Sequence, residues 1–379
     1  MGRSRFVMTA ACWLTLFYAT GAAADLGPLL RTLNAVGPDG KGHEAASKAW
    51  RELSRAEAEQ LPEILAAIDP SNPLSANWIR TAADAIAERR LESGGKLPAA
   101  ELERFVLDTR HAPKARRLAY EWLVRVDRSA PERLLPGMIH DPSLELRRDA
   151  VARLVGQVRD PPDPNHKAEA VAVYRQALAA ARDLDQVRWL ADRLRNLGEP
   201  VDLARHFGFV LRWRVIGPFD NPEQKGFDVA YAPEKGIDFS AAYAGKHGEV
   251  RWSEYTTTDE YGLVDFNQAL KEEKAVIGYA AAEFFSAERR EVQLRASSGS
   301  SPKFWLNGKL VGQYPIYHAG AQMDQYVMPV IMEPGRNLIL VKACQNEQTQ
   351  DWAREWGFQL RVCTADGTGI LSQGQETPK

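Results

Sequence analysis

The 379-residue chain has only three cysteines, seven histidines and almost no net charge. Its formal charge of −2 gives no support to a role in binding nucleic acid. Three cysteines are too few for a scaffold held together by disulfides. Beyond the N-terminus, no apolar run approaches the roughly 20 residues that a membrane-spanning helix needs. With 45% hydrophobic and 26% charged residues, we expect an ordinary globular protein without a membrane span.

Motifs for catalysis and metal binding are also missing. The chain contains no HExxH, CxxC, GxSxG or Walker A sequence. No two of its histidines have the spacing of metal ligands. Carboxylates are plentiful, but a pair such as Asp324 and Glu347 would suit a glycosidase only if the fold placed them on either side of the substrate bond. We therefore expect a protein that is not an enzyme and that uses no metal or other cofactor.

The first 24 residues have the layout of a cleaved secretory signal. Arg3 and Arg5 form a basic start, residues 6–18 are apolar apart from two threonines, and Gly21–Ala24 supplies an A-x-A-like cleavage site. The apolar segment is too short for a membrane anchor. We predict residues 1–24 to be a signal peptide, a mature chain that begins at Asp25, and a periplasmic or extracellular location.

The mature chain changes in composition near residues 199–207. Residues 25–206 contain seven aromatic residues and nine glycines, whereas residues 207–379 contain 23 aromatic residues and 17 glycines. The first part is rich in Ala, Leu, Arg and Glu, which favour helix, and the second in aromatics, Val and glycine turns, which favour strands. We predict a helical domain over 25–206, a β domain over 207–366 and a flexible tail over 367–379.

The first part has the apolar spacing of short paired helices. Helices are predicted at Ala45–Leu53, Leu61–Ala67, Ala76–Leu91, Ala99–Leu107, Lys114–Val126, Glu132–Ile139, Ser143–Val155, Ala168–Ala181 and Val187–Leu197. A quasi-repeat is visible, in which matching places are occupied by Ile68, Leu107 and His140, 39 and 33 residues apart. A helix pair that repeats at this spacing is typical of an α-solenoid. An irregular helical bundle is the alternative. The 28 basic and 28 acidic residues of this part balance, so its charged faces indicate solvation and no nucleic-acid partner.

The second part predicts an antiparallel β-sandwich, because strands follow one another without helices between them. Strands are predicted at Val210–Ile216, Glu291–Ala296, Phe304–Val311, Tyr326–Ile331, Asn337–Ala343 and Trp356–Val362. Asn307-Gly308 predicts a type I′ hairpin turn within the third of these segments. Gly217-Pro218 predicts the end of the first strand. Cys344 and Cys363 are expected in one late hairpin, with their thiols too far apart for a disulfide.

These β motifs resemble a galactose-binding-domain-like, jelly-roll module of secreted bacterial proteins. The resemblance covers most of residues 209–366 and rests on Trp213–Asn221, Gly226–Asp228, Tyr231–Glu234, Gly262–Phe266, Ala275–Phe285, Trp305–Gly308, Gly335–Lys342 and Trp356–Leu360. Pro131–Val155 likewise resembles a HEAT repeat. Together they imply a HEAT-like α-solenoid followed by an antiparallel jelly-roll sandwich with a carbohydrate-binding or structural role. Relatives commonly carry an acidic turn where this chain has Ser297–Pro302, and hydroxyl groups alone are poor calcium ligands.

Aromatic and polar loops of the β domain form the candidate ligand site. Strand alternation turns Trp305 away from Phe304 and Leu306, so its indole is expected to face outwards, where a sugar ring could stack on it. The alternatives are a neighbouring loop that covers this indole, and aromatic loop residues that serve packing or solvation only. The predicted ligand-binding residues are Trp305, Tyr314, Tyr317, His318, Asn346 and Trp352.

The expected function is non-catalytic binding outside the cytoplasm, with a glycan or polysaccharide as the favoured ligand of the C-terminal sandwich. Amide and acid side chains in the candidate loops are suitable partners for sugar hydroxyls. The alternative is a protein–protein scaffold, in which the helical domain binds a protein partner and the sandwich is structural. Binding of glycans by the β domain would separate the two.

Overall fold

The computed structural model describes residues 25–160 and 162–373. The predicted signal peptide and residues 374–379 of the predicted tail lie outside the described residues. The chain divides into two compact units, Met1–Leu134 and Leu135–Lys379. Within the described ranges, no helix combines the length and the apolarity that crossing a membrane requires.

The described part of the first unit is built from helices. They are α1 (Gly27–Asn34), α2 (His43–Leu53), α3 (Leu61–Ala66), α4 (Pro73–Glu92), α5 (Ala99–Leu107), α6 (Pro113–Val126) and α7 (Ala130–Leu134). The five helices predicted between residues 45 and 126 are all present. α1 escaped prediction because its Gly-Pro start reads as a break in sequence. The N-terminus of α4 is capped by Asn72, whose side chain accepts a hydrogen bond from Ser75 N at 3.2 Å.

The second unit begins with helices that pack on a shared apolar core. They are α8 (Leu144–Val155), α9 (Lys167–Ala180), α10 (Leu184–Asn196) and α11 (Leu203–Phe207). Tyr174, Leu190, Leu194 and Phe207 are buried together, and Phe209, just past the last helix, joins them. The predicted helix over Glu132–Ile139 is interrupted. α7 ends at Leu134, and a tighter turn over Leu135–Met138 follows, because Pro136 and Gly137 disfavour a regular helix.

An antiparallel β-sandwich follows these helices. Its strands are β1 (Arg212–Asp220), β2 (Ala242–Gly245), β3 (Gly248–Arg251), β4 (Ser253–Thr256), β5 (Val264–Asp265), β6 (Val276–Ser286), β7 (Arg290–Ser297), β8 (Ser301–Leu306), β9 (Lys309–Gln313), β10 (Tyr326–Met332), β11 (Gly335–Gln345) and β12 (Gly357–Cys363). One sheet has the strand order β4-β1-β6-β11-β8-β9 and the other β10-β7-β12-β5, while β2 and β3 pair separately. Buried side chains from both large sheets, such as Phe304, Val341 and Phe358, form one core.

The hairpin at Asn307-Gly308 is confirmed. Both residues have positive φ, 51° and 79°, as a type I′ turn requires. The Asn307 side chain also accepts a hydrogen bond from Leu338 N at 2.8 Å, which ties the turn to β11. The prediction that Gly217-Pro218 ends the first strand is wrong. β1 continues to Asp220. Its pairing register with β6 shifts between Ile216 and Phe219, so Pro218 lies where the sheet requires no regular backbone hydrogen bond.

The late hairpin expected to carry Cys344 and Cys363 does not form. β11 lies between β6 and β8 in the six-stranded sheet, so β12 has no free edge of β11 to pair with and lies in the opposite sheet. Both thiols are buried and free. Residues 367–373 of the predicted tail return to the sandwich, where Ile370 N donates to Val362 O at 2.8 Å and Ser372 Oγ accepts from Phe285 N at 2.8 Å.

Candidate functional site

Trp305 lies on the predicted face of its strand but is not accessible. Phe304 and Leu306 point into the core between the sheets, and Trp305 points to the opposite side. There it packs with Phe219 and Phe227 and retains only 8% exposure. The expectation of an outward indole that could stack on a sugar is therefore wrong. Strand alternation fixes which side a residue faces, but it carries no information on what the chain later lays over that side.

The segment over this side of the sheet, residues 222–239, is termed the covering segment. Its anchor is Lys342, which solvent does not reach and whose Nζ donates to Glu234 Oε1 and Val229 O at 2.8 Å and to Phe227 O at 3.1 Å. Tyr279 donates its hydroxyl hydrogen to the same carboxylate, and burial together with that carboxylate raises the Tyr279 pKa. This buried ion pair was missed in sequence, although a lysine within the apolar run of β11 was a signal for it.

Tyr314 and Tyr317 have packing roles. The Tyr314 ring stacks on Tyr326 with 3.8 Å between centroids and contacts the core between the sheets. Tyr317 packs beneath the covering segment, where its hydroxyl accepts a hydrogen bond from Asn221 Nδ2 at 3.1 Å. Burial raises the pKa of Tyr317 to about 12. Both residues are half-buried and are engaged in these packing contacts.

Three of the predicted residues do come together, and we term His318, Asn346 and Trp352 the Trp352 face. His318 Nε2 lies 3.0 Å from Asn346 Oδ1, and the imidazole meets the indole edge-on, with 5.0 Å between ring centroids. His318 N also donates to Gly299 O at 2.8 Å, which fixes the loop below it. Trp352 itself is 60% exposed. The arrangement presents a solvent-facing indole in perpendicular contact with an imidazole.

Gln345 holds the turn that carries Trp352. The side chain is fully buried, and its Nε2 donates to Ala353 O at 3.1 Å and to Glu355 O at 3.0 Å. Its Oε1 accepts from Asn346 N at 3.0 Å. One amide thus satisfies three backbone groups of a loop that has no strand partner of its own. The sequence analysis did not single out Gln345 and missed this role.

Two serines of Ser297–Pro302 donate hydrogen bonds to backbone carbonyl groups. Ser298 Oγ donates to Gly357 O at 2.6 Å and Ser300 Oγ to Glu355 O at 3.3 Å. Beside them lies a cleft of about 340 Å³, termed the serine cleft, lined by Asp265, Asn267, Ser298, Glu355, Trp356 and Gln359 among others. Its size and its few polar groups on an aromatic floor are typical of small-ligand sites. Among the residues the structure describes, no group of three His, Cys, Asp or Glu side chains is placed to hold a metal ion.

Asp324, one member of the carboxylate pair considered above, is committed to an ion pair. It accepts from Arg361 Nε at 2.7 Å and from Arg295 Nη1 at 2.8 Å. Burial opposes ionisation of Asp324, but the two guanidinium groups outweigh it and lower the pKa. A glycosidase acid must instead hold its proton near neutral pH, so the environment of Asp324 does not suit that role.

Comparisons with known proteins give no close relative. No family model and no curated protein matches the chain. An anti-sigma factor domain-containing protein from Clostridium clariflavum is 11% identical with a TM-score of 0.24, covering 45% of this chain and 50% of its own. A β-glucosidase from Kluyveromyces marxianus in complex with glucose is 10% identical with a TM-score of 0.27, covering 75% and 36%. The PA14 domain of the antifreeze protein MpAFP is 7% identical with a TM-score of 0.24, covering 45% and 95%.

The chain spans about half the length of the first two solved structures that it matches, 50% and 48%. At TM-scores this low, the similarities establish neither fold nor function. The structure of the chain itself shows helices followed by antiparallel sheets.

Proposed function

We propose that the protein is an exported, non-catalytic glycan-binding protein that uses the Trp352 face and the serine cleft. The observation that carries the proposal is the 60% exposed indole of Trp352, which contacts His318, whose backbone N–H donates to Gly299 in the lining of the serine cleft. We also infer a HEAT-like α-solenoid and a jelly-roll sandwich as the two fold families, which the succession of short helices and the paired antiparallel sheets support.

The chemistry of this surface suits a sugar. A pyranose ring presents C–H groups that pack on an indole, and hydroxyls that need hydrogen-bond partners around its rim. The serine cleft offers carboxylate and amide oxygens from Asp265, Glu355 and Gln359, which accept from such hydroxyls.

A glycan array with the full mature protein tests this function. We expect Trp352→Ala to weaken binding by about 5- to 150-fold, on the basis of roughly 1–3 kcal/mol for a stacked aromatic side chain. Phe285→Ala is the matched control, since this aromatic residue of β6 is also exposed, at 39%, and lies outside the face. Both variants should keep the parental melting temperature.

Two results would contradict the proposal. A Trp352→Ala protein that titrates with glycan like the parent would show that the Trp352 face is not the site. A silent array would favour the alternative, a scaffold whose helical part binds a protein partner. Export is tested separately, by the intact mass of the secreted protein, which should correspond to a chain starting at Asp25.

A further inference from the structure

A second and larger cleft lies in the second unit, where the start of α10 approaches the loops at one end of the sandwich. Its volume is about 660 Å³, within the range of sites for small ligands. Four arginines line it, namely Arg182, Arg188, Arg295 and Arg361, and we term it the arginine cleft. Tyr261 supplies an aromatic wall.

The carboxylates around the arginine cleft do not balance its arginines. Asp324 pairs with both Arg295 and Arg361. The other two lining aspartates are paired with arginines outside the lining. Asp366 pairs with Arg147 at 3.0 Å and Asp183 with Arg148 at 3.4 Å.

Arg182 and Arg188 therefore have no carboxylate within ion-pair distance in the described ranges. Burial lowers the pKa of Arg182, and the positive charges of Arg147 and Arg361 lower it further. The nearby Asp366 carboxylate acts in the opposite direction and raises this pKa. Arg182 is half-buried and Arg188 is exposed. Positive charge that lines a cleft without a paired carboxylate attracts an anionic ligand.

The two uncompensated arginines differ in what they can offer a ligand. Arg182 uses four of its five N–H groups within the protein, donating to Thr368 Oγ1 at 2.8 Å and 3.1 Å and to the carbonyl groups of Ala179 and Ala181, both at 2.8 Å. Among the described residues, the one acceptor of Arg188 is Tyr261 OH, 2.9 Å from its Nε, and the guanidinium lies 4.8 Å from the centre of the Tyr261 ring. Within the described ranges neither terminal nitrogen of Arg188 has a partner, and a guanidinium with both of these nitrogens free can bind a carboxylate through two parallel hydrogen bonds.

We propose that the arginine cleft binds the carboxylate of an acidic sugar of the uronic acid class, with Arg188 as the residue that contacts it. The inference rests on the proposed function, because it takes the ligand to be a glycan. Ala321 and Gln359 line both the arginine cleft and the serine cleft, so the two clefts adjoin. One oligosaccharide spans both, with its acidic unit at Arg188 and a further unit in the serine cleft.

Calorimetric titration of the full mature protein tests this assignment, with oligogalacturonate and oligoglucuronate as probes and their neutral methyl esters as matched ligands. We expect the acid forms to bind about tenfold or more tightly than the esters, on the scale of a charge-assisted hydrogen-bond pair. We expect that advantage to shrink as salt is added, because the arginine cleft is open to solvent. Arg188→Gln should abolish it, so that the acid and ester forms bind with equal affinity. Arg188→Lys should restore only part of it, because the charge returns without the planar fork.

Arg195→Gln is the control, since Arg195 lies on the same helix but pairs with Glu260 at 2.7 Å, outside the arginine cleft. Equal binding of acid and ester, or acid binding unchanged in Arg188→Gln, would overturn the inference. A sulfated oligosaccharide that binds as tightly as the uronates would overturn the assignment to a carboxylate. If neutral glycans on the array bind in a manner that depends on Trp352 while no uronate binds, the proposed function stands and this inference fails. Uronate binding that depends on Arg188 but not on Trp352 would support the arginine cleft and contradict the Trp352 face.

Discussion

Lys342 carries its positive charge at a position that solvent does not reach. Its three ammonium hydrogens have three acceptors, the carboxylate of Glu234 and the carbonyl groups of Phe227 and Val229. A buried charge is tolerated only when it is paired and hydrogen-bonded. Removal of one partner of a buried ion pair lowers the free energy of unfolding strongly, although the intact pair itself adds little to it. The covering segment can therefore pack over the sheet only in the arrangement that places Glu234 beside Lys342.

Replacing that carboxylate should destabilise the protein strongly. We expect Glu234→Gln to lower the free energy of unfolding by about 3–5 kcal/mol, because Lys342 is left as an uncompensated buried cation. Urea denaturation measures this change. Glu223→Gln is the control, since Glu223 belongs to an ion pair whose side chains are 76% and 72% exposed and should contribute within about 0.5 kcal/mol. A similarly small effect for Glu234→Gln would show that the Lys342 site is hydrated.

His206 should make stability depend on mildly acidic pH. Burial, together with the nearby charges of Arg182 and Arg361, lowers the pKa of His206 from 6.5 to about 4. Above pH 6.5 the ring is neutral in both the folded and unfolded chains. Between pH 6.5 and about 4 only the unfolded chain binds the proton, so the free energy of unfolding falls as pH falls through this window.

The expected loss is about 2–3 kcal/mol, since one pKa unit corresponds to about 1.4 kcal/mol. Asp366, whose pKa is lowered to about 2, contributes only at lower pH: burial opposes that shift, and hydrogen bonds from Thr364 and Arg147 outweigh it. Urea denaturation at several pH values between 7 and 4 should show the decline in the parent and a flatter profile in His206→Gln. An equally steep decline in both proteins would assign the effect to another group.

The loop that carries Trp352 depends on one amide for its shape. Gln345→Leu keeps much of the buried volume but removes one donor from Ala353 O and one from Glu355 O, and it leaves Asn346 N without its acceptor. We expect a loss of about 1–3 kcal/mol of stability and faster hydrogen exchange of backbone amides in residues 346–356. Exchange in β6, the centre of the larger sheet, should stay unchanged. Equal exchange in the loop of variant and parent would show that Gln345 does not position Trp352.

Helices and isolated strands were predictable because their signals are local. The spacing of apolar residues located α4 and α6, and Asn307-Gly308 located a turn whose backbone only a few residue types adopt. Strand pairing was not predictable in the same way. β11 and β12 follow one another in sequence, yet they lie in opposite sheets, because the partners of β11 are set by the whole sheet and not by its neighbour along the chain.

The same distinction between local signals and long-range contacts applies to the candidate site. His318, Asn346 and Trp352 were predicted from polar and aromatic loop composition, and contacts that no periodicity encodes bring them together. Trp305 failed because a distant segment covers it. Arg188 and its cleft escaped notice because the residues that line it come from helix and strand segments far apart in sequence.

Within the second unit, the last helices and the sandwich share polar and apolar contacts. Arg147 of α8 pairs with Asp366 at 3.0 Å, and Arg361 of β12 donates to Phe207 O at 3.1 Å. Phe209 is 5% exposed and belongs to the helical core, although it directly precedes β1. The change in composition near residue 207 thus marks a change of secondary structure, while the compact units divide at Leu134 and Leu135. Whether each predicted domain folds by itself stays a prediction.

Two fragments separate these boundaries. We expect residues 135–379 to unfold cooperatively in urea, because this fragment keeps α8–α11 against the sandwich. Residues 207–379 should be less stable by several kcal/mol, on the scale of about 1.5–3 kcal/mol for each large apolar side chain exposed. Phe209 would lose its helical neighbours, and Asp366 would lose Arg147. Near-ultraviolet circular dichroism reports whether the aromatic core of the sandwich survives in each fragment. If the shorter fragment matches the longer one in unfolding midpoint and spectrum, the helices add nothing to the sandwich, and the junction belongs near 199–207, where composition alone placed it.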